Sequence, residues 1–146
     1  MKEKLLYKAI RIAEKAHRKQ TDKFDAPYIG HVMRVMNAGK TIDEKIVGIL
    51  HDVLEDCPEI TSETLRQEGF AEHQIFAIEC LSKTSELMDY DDFVKKVEQS
   101  PLAIAVKIND LKDNMDLVRF TNLMTERDFK RLNKYLKAYQ YLIDKY

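Results

Sequence analysis

Apolar residues along this chain recur at intervals of three and four, and a convincing period-two alternation is hard to find anywhere in it. That spacing lines side chains up on one face of an α-helix, so an all-α fold is expected. Leu5, Leu6, Ala9, Ile12, Ala13 and Ala16 make the apolar stripe of a first helix, which loses its pattern in the polar stretch Gln20 to Ala26. Pro27 opens a second helix carrying Ile29, Val32, Val35 and Met36, and Gly39 ends it. A third starts with Asp43 as its N-cap and runs to Cys57, where Pro58 closes it. Shorter helices follow from Ser62 to Gly69 and through Ile75, Ile78 and Leu81 to about Lys83. Segments Asp89 to Gln99, Leu102 to Arg119 and Glu126 to Lys145 bring the total to about eight, the last capped by Thr125 with Asp128 three residues on.

With 146 residues and no linker, repeat or low-complexity tract, residues 1–146 are expected to form one helical bundle. A chain of this size buries about two-thirds of the surface it exposes when unfolded, so it needs no staples. Lys plus Arg number 24 against 25 for Asp plus Glu, a formal charge of -1, which argues against a protein that lives on nucleic-acid phosphates or anionic membrane. Cys57 and Cys80 make no spaced metal motif and do not suggest a disulfide framework. No apolar run approaches membrane-spanning length and Met1-Lys2-Glu3-Lys4 lacks a hydrophobic signal core, so the cytoplasm is the default location.

Against this background, His51-Asp52-Val53-Leu54-Glu55-Asp56 places four ionisable groups on six residues of an apolar helix. His51 and Glu55 stand one turn apart, as do Asp52 and Asp56, which would put all four on one helical face. Burying unpaired carboxylates costs several kcal/mol each, whereas a divalent cation would hold imidazole and carboxylate together; a merely wet acidic face is the alternative. Further ligands are sought among the other histidines and the acids inside apolar helices. His31 follows Tyr28-Ile29-Gly30, and Asp110 interrupts the apolar Ala103 to Leu111. Interior Asp is a poor helix former and asks for a partner; Lys107 lies one turn before it and Asn114 one turn after. His17 reads as a satisfied structural residue and His73 as surface.

The order His31, His51-Asp52, Asp110 resembles the HD phosphohydrolase superfamily, which holds one divalent metal on His, His-Asp and a distant Asp. It resembles most closely the alarmone branch, the guanosine 3',5'-bis(diphosphate) 3'-pyrophosphohydrolases: the hydrolase domain of RelA/SpoT-type enzymes and their short single-domain relatives. Ala16-His17 with Gln20 and Lys23, Pro27-Tyr28-Ile29-Gly30-His31, Leu50 to Asp56, Leu81-Ser82-Lys83-Thr84 and Val106 to Leu111 with Asn114-Met115 carry the likeness, over nearly the whole chain. The resemblance implies an all-α HD bundle that removes the 3'-pyrophosphate of that nucleotide to give GDP and pyrophosphate.

It implies too that one metal ion, manganese by family, sits on His31, His51, Asp52 and Asp110. Such an ion acidifies water and stabilises charge developing on phosphorus. Glu55 and Asp56, one turn beyond the His-Asp pair, are then the catalytic carboxylates that take or orient the water's proton. Lys23 and Asn114 are the substrate contacts expected at phosphate and sugar, while Arg131 and Lys134 read as solvated. The departures fall on substrate contacts. Asp22 stands where the family has the Arg associated with guanine, Val32 replaces Pro, and Asp116-Leu117 replaces Arg-Thr. A small-molecule nucleotide remains the partner. Another nucleotide as substrate, or a non-catalytic nucleotide-sensing module, are the other classes compatible with the motif.

Overall fold

The computed structural model describes residues 1–146 and is all-helical. Its helices are α1 (Lys2–His17), α2 (Ile29–Ala38), α3 (Ile42–Leu50), α4 (Val53–Asp56), α5 (Ser62–Gln67), α6 (Glu72–Cys80), α7 (Tyr90–Val97), α8 (Pro101–Asn114) and α9 (Glu126–Lys145), with a single 3-10 turn at Leu117–Arg119. Apart from the four-residue α4, these are the eight helices expected from the spacing. No helix is long and apolar enough to cross a membrane.

The centre of the bundle is α3. Ile46, Val47, Gly48, Ile49 and Leu50 are all buried in it, an apolar surface on every side that suits a helix surrounded by others. It packs against α1, α2, α6 and α8, while α9 closes over α8. At Gly48 the backbones of α2 and α3 come so close that a Cβ would lie 3.2 Å from the Met36 Cα. The core cluster holds 26 buried residues, among them Ala9 and Ala13 of α1, Val32 and Val35 of α2, and Leu111 of α8.

Three helix limits differ from expectation, each for a local reason. Thr41 rather than Asp43 caps α3, its hydroxyl accepting from the Glu44 amide, while Asp43 instead bonds Lys2, His73 and Gln74. The third helix is not continuous to Cys57: it stops at Leu50 and restarts at Val53. His51 Nδ1 takes the Gly48 carbonyl at 2.7 Å, the acceptor a continuous helix would offer to the Asp52 amide, so side chain and backbone compete at that point. Likewise α8 ends at Asn114 instead of Arg119, because the Asp116 carboxylate accepts from the Val118 amide and starts the 3-10 turn. The capping box of Thr125 and Asp128 at the start of α9 is present as read.

Candidate metal centre

His31 stands in the first turns of α2, His51 and Asp52 fill the break between α3 and α4, and Asp110 lies on α8. Because α3 packs against both α2 and α8, the three segments bring their side chains to one point. His31, His51 and Asp52 form a group whose ligand-type atoms lie within 4.8 Å of one another, and this buried group could hold a metal ion. Asp52 Oδ2 is 3.0 Å from His51 Nε2 and 3.8 Å from His31 Nε2. Asp110 Oδ1, from the opposite side, is 3.0 Å from His31 Nε2 and 3.4 Å from His51 Nε2. All four residues expected as ligands therefore converge, with the two histidines and Asp110 no more than 5% exposed.

Their hydrogen bonds aim them. A carbonyl only accepts, so the Gly48 bond makes His51 Nδ1 the N–H and turns Nε2 towards the carboxylates. That Nε2 is buried and has no hydrogen-bond partner of its own, which fits a nitrogen whose lone pair would ligate an ion on this donor set. His31 is held the same way by Asp113, whose Oδ2 lies 2.6 Å from Nδ1. Tyr28 donates its phenol to Asp52 Oδ2. On the other carboxylate, Lys107 Nζ reaches Asp110 Oδ2 at 2.9 Å and the Asn114 amide reaches Oδ1 at 3.0 Å. Histidine N–H groups tied to carbonyl or carboxylate, and carboxylates themselves hydrogen-bonded, are the surroundings that fix metal ligands.

Electrostatics follow from burial and pairing. Burial pushes both imidazoles towards the neutral form, yet the carboxylates around them more than reverse this, Asp110 and Asp113 for His31, Asp52 and Asp110 for His51, so both are raised above the ordinary histidine value. Burial would raise Asp110, but the Lys107 charge and the two imidazoles hold it well below the usual carboxylate range. The site thus keeps its carboxylates ionised and, without a cation, draws protons onto its histidines.

Glu55 and Asp56 lie on α4 and are exposed. Contrary to the expectation of one shared helical face, the break at 51–52 sends them to different partners. Glu55 accepts from the Lys83 amide, and Asp56 accepts from the Gln20 amide nitrogen at 3.0 Å. Partial burial and the nearby Asp52 charge raise both above the usual carboxylate range, opposed by those same hydrogen bonds. His17 is buried and meets Gln20 Oε1 through Nδ1 at 2.8 Å, so it supports Asp56 through Gln20 as well as filling space. His73 is exposed as read.

Beside His31 a cleft of about 290 Å³ is walled by Lys23, Phe24, Arg119, Arg131, Asn114 and Tyr135, among others. Lys23 Nζ lies over the Phe120 ring at 4.5 Å, and burial together with the charge of Arg131 lowers its pKa. Arg131, expected to be solvated, instead lines this cleft. Lys134, expected likewise, stacks over Tyr90 at 4.7 Å, a ring that Lys83 and Lys107 also approach at 5.7 Å. Asn114 lines the cleft but spends its amide on Asp110. Asp22 also lines the cleft, with its carboxylate fully engaged: Oδ1 accepts from the Phe24 and Ala26 amides and Oδ2 from Arg119 at 2.9 Å. Sequence reasoning missed Asp113, Arg119 and Tyr28 as parts of the site. Asp110, Asp113 and Asn114 at spacings of three and four were the signal for the first. Tyr28 lay inside the motif Pro27 to His31 without a role of its own, and Arg119 left no signal, since a charge pair has no period and its second partner, Asp22, is 97 positions away. Cys57 and Cys80 are buried free thiols. No family model matches the chain, and no curated protein matches it.

Proposed function

We propose that the chain is a metal-dependent phosphohydrolase of the HD type, and that its leading substrate is guanosine 3',5'-bis(diphosphate), hydrolysed to GDP and pyrophosphate. The observation that carries this reading is the convergence of two buried imidazole Nε2 atoms with Asp52 and Asp110, beside a cleft walled by cations. A mixed nitrogen and oxygen donor set suits manganese, iron, cobalt or zinc, and the resemblance favours manganese. His31, His51, Asp52 and Asp110 would hold the ion, which when bound acidifies water and stabilises charge on phosphorus.

The protein's own groups supply the rest. A water oxygen bonds to the 3'-linked phosphorus, the bond from phosphorus to the 3' oxygen breaks, and pyrophosphate leaves with the water's oxygen. Glu55 and Asp56 jointly take or orient the proton of that water, and a proton returns to the 3' oxygen. Partial burial raises the pKa of both, which makes each a stronger base than a free carboxylate. Lys23 and Arg131 give the cleft charge to hold phosphate groups, while Arg119 is engaged with Asp22 and Asp113. Lys107 and Asn114 hold Asp110 in place.

The pairing of Asp22 with the Phe24 amide and Arg119 favours a second reading in which a different nucleotide is the substrate, because no arginine stands at that position and the carboxylate there is already engaged. Turnover with Mn2+ added back to stripped protein, across guanosine and adenosine 3',5'-bis(diphosphates) and simple nucleotides, tests both. Pyrophosphate release from the guanosine compound supports the first reading. Hydrolysis of another nucleotide alone supports the second, and absence of any turnover leaves a metal-containing binding module.

A further inference from the structure

We infer that Asp113 is the positioning residue for His31, clamped by two arginines so that it fixes one metal-facing imidazole; the inference rests on the metal centre proposed above. The imidazole of His31 has two nitrogens with different tasks. An ionised carboxylate only accepts, so Asp113 Oδ2, 2.6 Å from Nδ1, makes Nδ1 an N–H, while Nε2 faces Asp110 and Asp52 where the ion would sit. A carboxylate on a free side chain would swing and let the ring turn with it. Asp113 cannot swing. Arg34 of α2 donates Nε to Oδ1 at 2.6 Å and Nη2 to Oδ2 at 3.2 Å. Arg119 of the 3-10 turn donates Nη1 to Oδ2 at 2.8 Å and to the Asp113 carbonyl at 2.9 Å.

The clamp joins segments far apart in the chain. Asp113 belongs to α8 beside Asp110, whereas His31 and Arg34 belong to α2 one turn from each other. Arg119 has a second arm, Nη2, on Asp22 Oδ2 at 2.9 Å, and so ties the loop bearing Lys23 to the same carboxylate. Two guanidinium groups and an imidazole thus meet on one carboxylate whose side chain is 9% exposed. An ion pair serving stability alone needs one arginine and no histidine. A carboxylate behind a ligand imidazole sets its tautomer and its aim, and loss of such a group costs metal affinity about 10–100-fold.

The test uses the full chain stripped of metal. Mn2+ affinity is measured by chelator competition for the wild type, Asp113→Asn and Asp113→Ala, alongside thermal unfolding of each metal-free protein. Asp113→Asn is nearly isosteric and guards against an unfolded Ala variant. The expected result is one ion per chain at saturation in all three, with affinity lowered about 10–100-fold in the variants. In the Zn2+-loaded wild type, long-range nitrogen–proton spectra should show His31 with its proton on Nδ1, a signature that Asp113→Ala broadens or shifts. A variant that unfolds at lower temperature yet binds Mn2+ within about twofold of wild type would reduce Asp113 to scaffolding and overturn the inference. Wild-type protein that binds no Mn2+ overturns the metal centre and this inference together. Wild-type protein that binds Mn2+ but hydrolyses no nucleotide overturns only the proposed reaction, and the affinity comparison then decides for Asp113.

Discussion

Asp110 carries two obligations at once, as a carboxylate facing both imidazoles and as the counter-ion of Lys107, itself only 6% exposed. Replacing Asp110 with Ala should therefore abolish metal content and also strand a buried ammonium, costing about 3–5 kcal/mol. Asp110→Asn keeps the volume and one acceptor, and should lose the metal with less damage. Metal analysis with circular dichroism separates the two effects, and a native metal content in either variant would exclude Asp110 as a ligand. Glu55 and Asp56 face a different test, since their partners are Lys83 and Gln20 and neither is needed to hold an ion. Glu55→Gln or Asp56→Asn should keep the metal and lose about a hundredfold in turnover, measured as pyrophosphate release under saturating Mn2+. Full activity in both would show that the pair only shapes the rim.

Where elements meet, the decisive contact is that of α2 with α3. Gly48 lets the helix carrying His31 approach the one that ends in His51, and an added Cβ would meet the backbone of Val35 and Met36. Gly48→Ala is expected to cost about 1–3 kcal/mol and to weaken Mn2+ binding as the two imidazoles move apart. A thermal shift without any change in affinity would show that the ligands adjust independently of the helix spacing. The loop before α2 is built as a unit too. Asp25 adopts φ 63°, and Asp22 gathers the Phe24 and Ala26 amides. Asp22→Arg removes those acceptors and sets two guanidinium groups against each other. It should lower stability by about 1–3 kcal/mol and reduce turnover on every nucleotide instead of sharpening a preference for guanine. A rise in the guanosine-to-adenosine activity ratio with unchanged melting would contradict this.

For the molecule as a whole, metal and protons compete for the same imidazoles. His31 and His51 are raised by the carboxylates around them, so in the metal-free fold their charged forms add stability below about pH 6.5, which is lost as pH rises through their raised values. A bound cation needs the same nitrogens free and contributes more as they lose protons. The rise in melting temperature on adding Mn2+ should accordingly be larger at about pH 8 than at about pH 6. Calorimetry at the two pH values checks it, and an equal or larger increment at the lower pH would argue against imidazole ligation.

Helix number and class were legible from residue spacing alone, because a helical face is a local property of three- and four-residue intervals. So were His51, Asp52 and Asp110, as polar groups in an apolar context that asked for a partner, but it was the resemblance to the HD pattern that joined them with His31 into one set. The break at His51-Asp52 was not, since an unbroken pattern of spacing conceals a side chain that captures a backbone carbonyl. Nor was the turning of Arg131 towards the cleft, or the meeting of Asp22, Asp113, Arg34 and Arg119, residues up to 97 positions apart. Charge pairs carry no period, so only the packing of α2, α3 and α8 around one another decides which carboxylate meets which cation.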